Sequence, residues 1–187
     1  LSDANDVLLL NSDAEVANDW LDRMMAQAYA RDRVATVTPL SNNATICSYP
    51  DFAGRRTLAP GVTLDRMDKA CSAANRGRHV RVPTGVGFCM LIRRATLHEL
   101  GLFDAEAFGK GYGEENDFCM RAFAGGWENI LALDTFVFHA GEVSFAGDSS
   151  AGKARGMAAL LSKHPRYLLE VAAHVAEDPA RAFRAAI

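Results

Sequence analysis

Apolar residues first gather in a short continuous run, Val7 to Leu10, bounded by Asp6 and Asn11. A run of that length with polar ends predicts a strand buried on both faces, as in a parallel sheet. From Asn18 to Ala30 the period changes, and Trp20, Leu21, Met24, Met25 and Ala28 recur at helical spacing. Asn18 or Asp19 is the expected cap of that helix. Val34 to Leu40 is β-branched and ends just past a proline, a second strand. Residues 41–64 carry no period, with two prolines, Gly54 and Gly61, and predict a long loop of the functional kind.

Regular patterning then resumes. A helix is expected over Leu64–Asn75, strands over Val80–Val82 and Gly87–Ile92, and a helical turn over Thr96–Leu100 closed by Gly101. Gly109 to Gly113 runs directly into a helix over Glu114–Ala124, stopped by Gly125-Gly126. Two further strands are predicted, Ile130–Leu133 and Phe136–Phe138, the second ending at His139. From about Ser150 the chain is alanine-rich and helical, broken at Pro165 and again at Pro179. Strands alternating with helices place the chain in the α/β class.

Composition narrows the function classes. The 187 residues hold 20 Lys+Arg against 23 Asp+Glu, a net charge of −3, so the basic face that nucleic acid requires is missing. With 49% hydrophobic residues the chain can build a core. No apolar run approaches the roughly 18 residues of a membrane span. Cys47, Cys71, Cys89 and Cys119 lack CxxC or zinc spacing, and most sit in apolar or helical patterns. Free buried thiols and a cytoplasmic location are expected. Asn43-Ala44-Thr45 matches a glycosylation sequon, a motif common by chance.

Three places put polar groups where a strand or a glycine-rich stretch ends, which is where open α/β sheets bind ligands. Asn11-Ser12-Asp13 follows the first strand, although these residues equally suit a turn and a helix cap. Glu114, Glu115 and Asp117 open a helix, where acids also complement the helix dipole. Successive helical residues point about 100° apart, so only one of Glu114 and Glu115 can face a given site. His139 ends an apolar strand, a position that also suits a core histidine. Taken together, Asp13 and His139 supply ligands for a hard divalent ion, Mn2+ or Mg2+, and a helix-opening glutamate supplies a base. The phosphate-loop, dinucleotide, serine-hydrolase and zincin motifs are all absent.

Several ordered segments resemble the inverting glycosyltransferases of family 2. Asp6-Val-Leu-Leu-Leu-Asn-Ser-Asp13 with Trp20-Leu21 resembles their DxD region. Gly87-Phe-Cys-Met-Leu-Ile-Arg-Arg94, Leu100-Gly-Leu-Phe-Asp104 and Phe108-Gly-Lys-Gly-Tyr-Gly-Glu-Glu-Asn-Asp-Phe-Cys-Met-Arg121 resemble the acceptor and base-bearing segment. Gly126-Trp127, Phe136-Val-Phe-His139 and Ser144-Phe145 continue in the same order, so the resemblance covers residues 5–146.

The resemblance implies a GT-A fold, Rossmann-like with a mixed sheet flanked by helices, over residues 1–147, and a helical extension over 148–187. Asp13 matches the metal-holding last acid of the DxD motif, and Asn11 stands where many members have its first Asp. With Ser12 and Gly87, Asn11 would line the nucleotide-sugar donor. Glu115 matches the catalytic base, Glu114 and Asp117 would support it, and His139 matches a late histidine that completes metal coordination. Tyr49, in the 41–64 loop, and Tyr112 are the acceptor-side candidates, and Gly85 and Gly109–Gly113 would let backbone approach sugar and acceptor. Glu115 would take a proton from an acceptor hydroxyl as that oxygen displaces the nucleoside diphosphate, inverting the anomeric centre.

The partners so implied are a nucleotide-sugar and a saccharide or other hydroxyl acceptor, in polysaccharide, cell-wall or glycan synthesis, with any membrane association peripheral. A nucleotidyltransferase of related architecture and a non-catalytic binding domain are the alternatives. The chain opens on Leu-Ser-Asp without a Met, close to a strand, and the resembled family places nucleoside-binding strands ahead of that position. The expectation is therefore a domain lacking its beginning, weakly active alone, with a sheet edge open to a second copy.

Overall fold

The computed structural model describes residues 3–54, 56–109, 112–141 and 149–187. Five strands form one sheet in the order β1 (Val7–Leu10), β5 (Cys89–Ile92), β3 (Val34–Leu40), β6 (Glu128–Phe136), β4 (His79–Val82). Only β3 and β6 pair in parallel, with Val37 opposite Ile130 and Thr38 opposite Leu131. The other pairings are antiparallel. A two-stranded ribbon, β2 (Ala14–Glu15) against β7 (Phe138–His139), stands beyond the sheet.

The mixed sheet is covered on both faces, and the side-chain period of two shows it. In β5, Cys89 and Leu91 join Met24, Val37, Met67 and Leu131 in one cluster, whereas Met90 and Ile92 join Leu97, Phe118 and Cys119 in another. The first face is covered by α1 (Trp20–Ala28) and α2 (Leu64–Asn75), the second by α3 (Arg94–Leu100) and α5 (Glu114–Ala124), with the short α4 (Ala105–Phe108) between them in the chain. Burial on both faces explains why the strands read as continuous apolar runs rather than alternating ones. All four cysteines are free and buried, and burial pushes the thiols of Cys71, Cys89 and Cys119 up to about 12.

Three expectations need correction. The Val7–Leu10 strand is not buried on both faces in a parallel pairing. It is a half-buried edge strand, antiparallel to β5, and Leu10 is exposed. Ile130–Leu133 and Phe136–Phe138 are not two strands, because β6 runs unbroken to Phe136. Asp134 and Thr135 stay inside it because they are paired: the Gly77 N–H and Gln27 Nε2 donate to Asp134 Oδ2, and Arg23 Nε donates to Thr135 Oγ1. The side chain of Asp19 does not cap α1, and Asn18, in the left-handed region at φ 55°, donates to buried Asp68 instead.

Strand direction places the site. Because β5 is antiparallel to both β1 and β3, the strands β1, β3 and β6 point the same way. Their carboxyl ends deliver residues 11–13, 41–43 and 137–139 to one edge of the sheet. The C-terminal helices α6 (Ser149–Lys163), α7 (Tyr167–Glu177) and α8 (Arg181–Arg184) pack on the same body. Asn75 Nδ2 donates to Phe183 O, and Arg184 donates to Pro50 O while lying over the Phe52 ring. Arg184 also makes a forked, buried pair with Asp178 at 2.6 Å.

Among the described residues, Arg184→Ala leaves the mostly buried Asp178 with only the exposed Arg181, whose Nε lies 3.3 Å from Oδ2. Unfolding stability should therefore drop by about 1–3 kcal/mol, less than for a buried acid stripped of every partner. A double change of Asp178 and Arg184 to apolar residues should recover most of the loss. Chemical denaturation followed by circular dichroism measures both.

Candidate active site

Asp13 and His139 meet because β2 and β7 pair. Ala14 lies opposite His139, and the Ala140 N–H donates to Asp13 O. Asp13 Oδ2 stands 3.6 Å from His139 Nε2, and both side chains are mostly buried. The other carboxylate oxygen, Asp13 Oδ1, is buried with no hydrogen-bond partner among the described residues. His139 Nδ1 lies 2.8 Å from Asn43 O, a carbonyl that only accepts, so the ring proton sits on Nδ1. In the neutral ring Nε2 then carries a lone pair facing a carboxylate. Asn11 Nδ2, at 3.5 Å, offers Nε2 a single long contact.

Two lone-pair donors that cannot bond each other, one with an orphaned second oxygen, fit a divalent cation. Among the described residues no third His, Cys, Asp or Glu joins them. That count suits Mg2+ or Mn2+, which bind through one or two protein side chains, phosphate oxygens and water. His139 is held from several sides. Asn42 Oδ1 accepts from its backbone N–H at 2.8 Å, Asn42 Nδ2 donates to its backbone carbonyl at 3.0 Å, and Phe88 stacks on its ring at 4.9 Å.

Glu115 adjoins this edge beside Gly87, the residue before Phe88. A Cβ placed on Gly87 would touch the Glu115 side chain at 3.6 Å, so Gly87 is the residue facing it. The Gly113 N–H donates to Glu115 Oε2 at 3.3 Å. Burial holds the Glu115 carboxyl above the ordinary glutamate value, and the Glu114 charge beside it adds to the shift. Gly87 and Phe88 thus link the two halves of the site. Gly87 faces the acid, Phe88 packs on the imidazole, and Phe88 O accepts the Asn11 N–H.

Ser12 is exposed beside Asp13. Glu114 has a buried Oε2 with no hydrogen-bond partner among the described residues. Asp117 is fully buried; Arg121 Nε lies 2.8 Å from its Oδ2, and His164 and Lys163 approach its Oδ1 at 2.8 and 3.1 Å. Burial opposes its ionisation, but these three partners hold its carboxyl below the usual aspartate value. Asp117 therefore ties the α6–α7 junction to the helix that carries Glu115. Tyr49 stands edge-on to Phe136 in a cleft of about 490 Å³ that Asn42, Arg56, Leu58 and Ile187 also line. Tyr112 packs on α6, where a Cβ on Gly156 would collide with its backbone carbonyl. Of the glycine-rich stretch, Lys110 and Gly111 lie outside the described residues, as do Ser144 and Phe145.

Asn42, Asn43 and Phe88 are the site residues that sequence reasoning missed. Their signal was present: Ser41-Asn42-Asn43 follows a strand end just as Asn11-Ser12-Asp13 does.

No protein-family model matches the chain, and no curated protein does. Among solved structures, the crystal structure of GalNAc-T7 with UDP, GalNAc and Mn2+ is similar, with a TM-score of 0.51 and 16% sequence identity. The match covers 93% of this chain and 41% of that one. The chain thus spans about two fifths of that protein's length. The likeness concerns architecture, a GT-A-like mixed sheet flanked by helices. Among the described residues no helix is long and apolar enough to cross a membrane.

The raised Glu115 pKa gives a stability test with a defined sign. Folding favours the protonated acid, so stability falls as pH rises from the unfolded carboxylate pKa through the higher folded value. Glu115→Gln should therefore melt higher than the native chain at neutral pH. The gap should close below the unfolded pKa, as thermal unfolding across the acid range measures.

Proposed function

We propose that this chain forms the metal, base and acceptor side of a metal-dependent glycosyltransferase of the family 2 type. The observation that carries the reading is the Asp13–His139 pair, with its imidazole proton fixed by Asn43 O and Glu115 adjoining across Gly87 and Phe88. The GT-A-like fold supports it, as does the neighbour of that fold having been crystallised with UDP, GalNAc and Mn2+.

Asp13 Oδ1 and Oδ2, with His139 Nε2, would hold Mn2+ or Mg2+. Such an ion supplies Lewis-acid stabilisation for the charge that gathers on a leaving diphosphate. Asn11 and Ser12 lie at the rim of that pair, where donor phosphates would enter. Glu115, buried and raised in pKa, accepts the proton of an acceptor hydroxyl as its oxygen attacks the anomeric carbon. One displacement opposite the diphosphate inverts that carbon. Gly87 has no side chain between the base and the donor, leaving room for the reacting sugar. Tyr49 and Tyr112 are the acceptor-side contacts. The 1–147 segment is the transfer region, and 148–187 is an extension that braces it through Asp117 and Arg184. The acceptor class we favour is a growing polysaccharide or other glycan.

Incubation with UDP-, GDP- and dTDP-sugars and a hydroxyl acceptor tests this by nucleotide release. Release should require Mn2+ or Mg2+ and be lost in Glu115→Gln while donor binding persists. His139→Ala, which removes a proposed ligand outright, should raise the metal concentration needed by about 100-fold or more, since losing a group that only orients a ligand already costs about 10–100-fold. The acid limb of the native rate profile should lie above the ordinary glutamate pKa. Failure to bind any of these nucleotides would favour a non-catalytic domain.

A further inference from the structure

A second cleft, of about 400 Å³, opens between α5, α7 and the end of β4. That volume lies in the range of small-ligand sites. Pro83, Met120, Phe123 and Trp127 form its apolar wall, and His174 and Glu177 of α7 face them across it. Arg33 lies over the Trp127 ring at 4.5 Å and fixes it as a wall. Phe123, 56% exposed, leaves an aromatic surface open to an occupant.

Two observations select the chemistry of that occupant. His174 is only 8% exposed, yet its Nε2 has no hydrogen-bond partner among the described residues. Burial holds the ring below the usual histidine pKa, so it is a neutral donor or acceptor and not a cation. The charged groups at the cleft are mostly acidic. Arg81 pairs with Glu128 and Glu170 is engaged by Arg166, leaving the exposed Glu177 as the remaining charge at the mouth. Anions such as nucleotides, phosphates and fatty acids are disfavoured by that balance. A ring with an apolar C–H face for Phe123 and hydroxyls for His174 Nε2 and Glu177 matches those three groups, and a neutral saccharide has that form.

The cleft and Glu115 lie along one helix: α5 starts at the transfer site and its second half lines the cleft, where β6 begins. Met120 lies five residues after Glu115 on α5, a rise of about 7.5 Å. Tyr167, which opens α7, feels the Glu115 charge and contacts Thr84.

We propose that this cleft is a second saccharide site, holding a distal ring of an extended acceptor glycan. The proposal rests on the glycosyltransferase reading for its acceptor, but its binding step is testable by itself.

Trp20→Phe leaves Trp127 as the single tryptophan and a reporter in the cleft wall. Titration of that variant with neutral tetrasaccharides of glucose, N-acetylglucosamine, galactose and mannose should give a saturable fluorescence change with at least one of them. Adding Phe123→Ala, an exposed position whose loss spares the fold, should weaken that binding by about ten-fold or more. His174→Phe should weaken it as well. In transfer assays Phe123→Ala should raise KM for the tetrasaccharide acceptor and leave KM for the monosaccharide unchanged. The proposal is overturned if no tetrasaccharide changes Trp127 fluorescence, or if Phe123→Ala binds as the parent does. Saccharide binding at Trp127 without any nucleotide-sugar turnover would support the cleft and remove the transferase reading.

Discussion

The parallel pairing of β3 with β6 is the constraint from which the site follows. Both strands are buried almost throughout, so their register is fixed by packing on two faces. With β5 inverted between β1 and β3, that pairing forces three strand ends to one edge. Asn42, just past β3, then binds both the N–H and the carbonyl of His139, just past β6. A side-chain amide thus continues the ladder where the backbone ladder stops. Asn43 completes the arrangement by accepting the imidazole proton, and the lone pair of Nε2 is left facing Asp13.

Buried polar groups elsewhere support this edge and do not compete with it. Asp68, fully buried in α2, accepts from Arg23, from Asn18 and from the Phe136 N–H at the end of β6. Asp134 gathers Gly77 and Gln27 two residues earlier. Thr36 and Asn129 bond across the parallel pair itself. Each is satisfied, which is the condition under which a buried polar network specifies one register. Asp117 does the same for the second face: its partners on α5 and at the α6–α7 junction hold the base-bearing helix against the C-terminal helices.

Much of this was legible in the sequence where local pattern and tertiary context agree. Leu64–Asn75 forms as its periodicity predicts, capped by Thr63, whose hydroxyl accepts from the Arg66 N–H. Gly101, at φ 80°, ends α3 where a left-handed residue is needed. Asp13 and His139, 126 positions apart in the chain, do come together. What was hidden depends on partners far along the chain. Val7–Leu10 is as apolar as a central strand, and nothing local shows that it sits at an edge. Asp134-Thr135 looks like a break in β6 until Gln27, Gly77 and Arg23 are known to pair with it. Asn42 and Asn43 looked like loop residues because their role is to bind a histidine that no local pattern connects to them.

The metal pair depends on the orientation of one imidazole. NMR of isotope-labelled His139 ring nitrogens tests it directly. The proton should reside on Nδ1, held by Asn43 O, and the Nε2 resonance should move when Mg2+ is added with a nucleoside diphosphate. A proton found on Nε2, with a resonance that does not respond to Mg2+, would contradict the metal pair and the chemistry built on it.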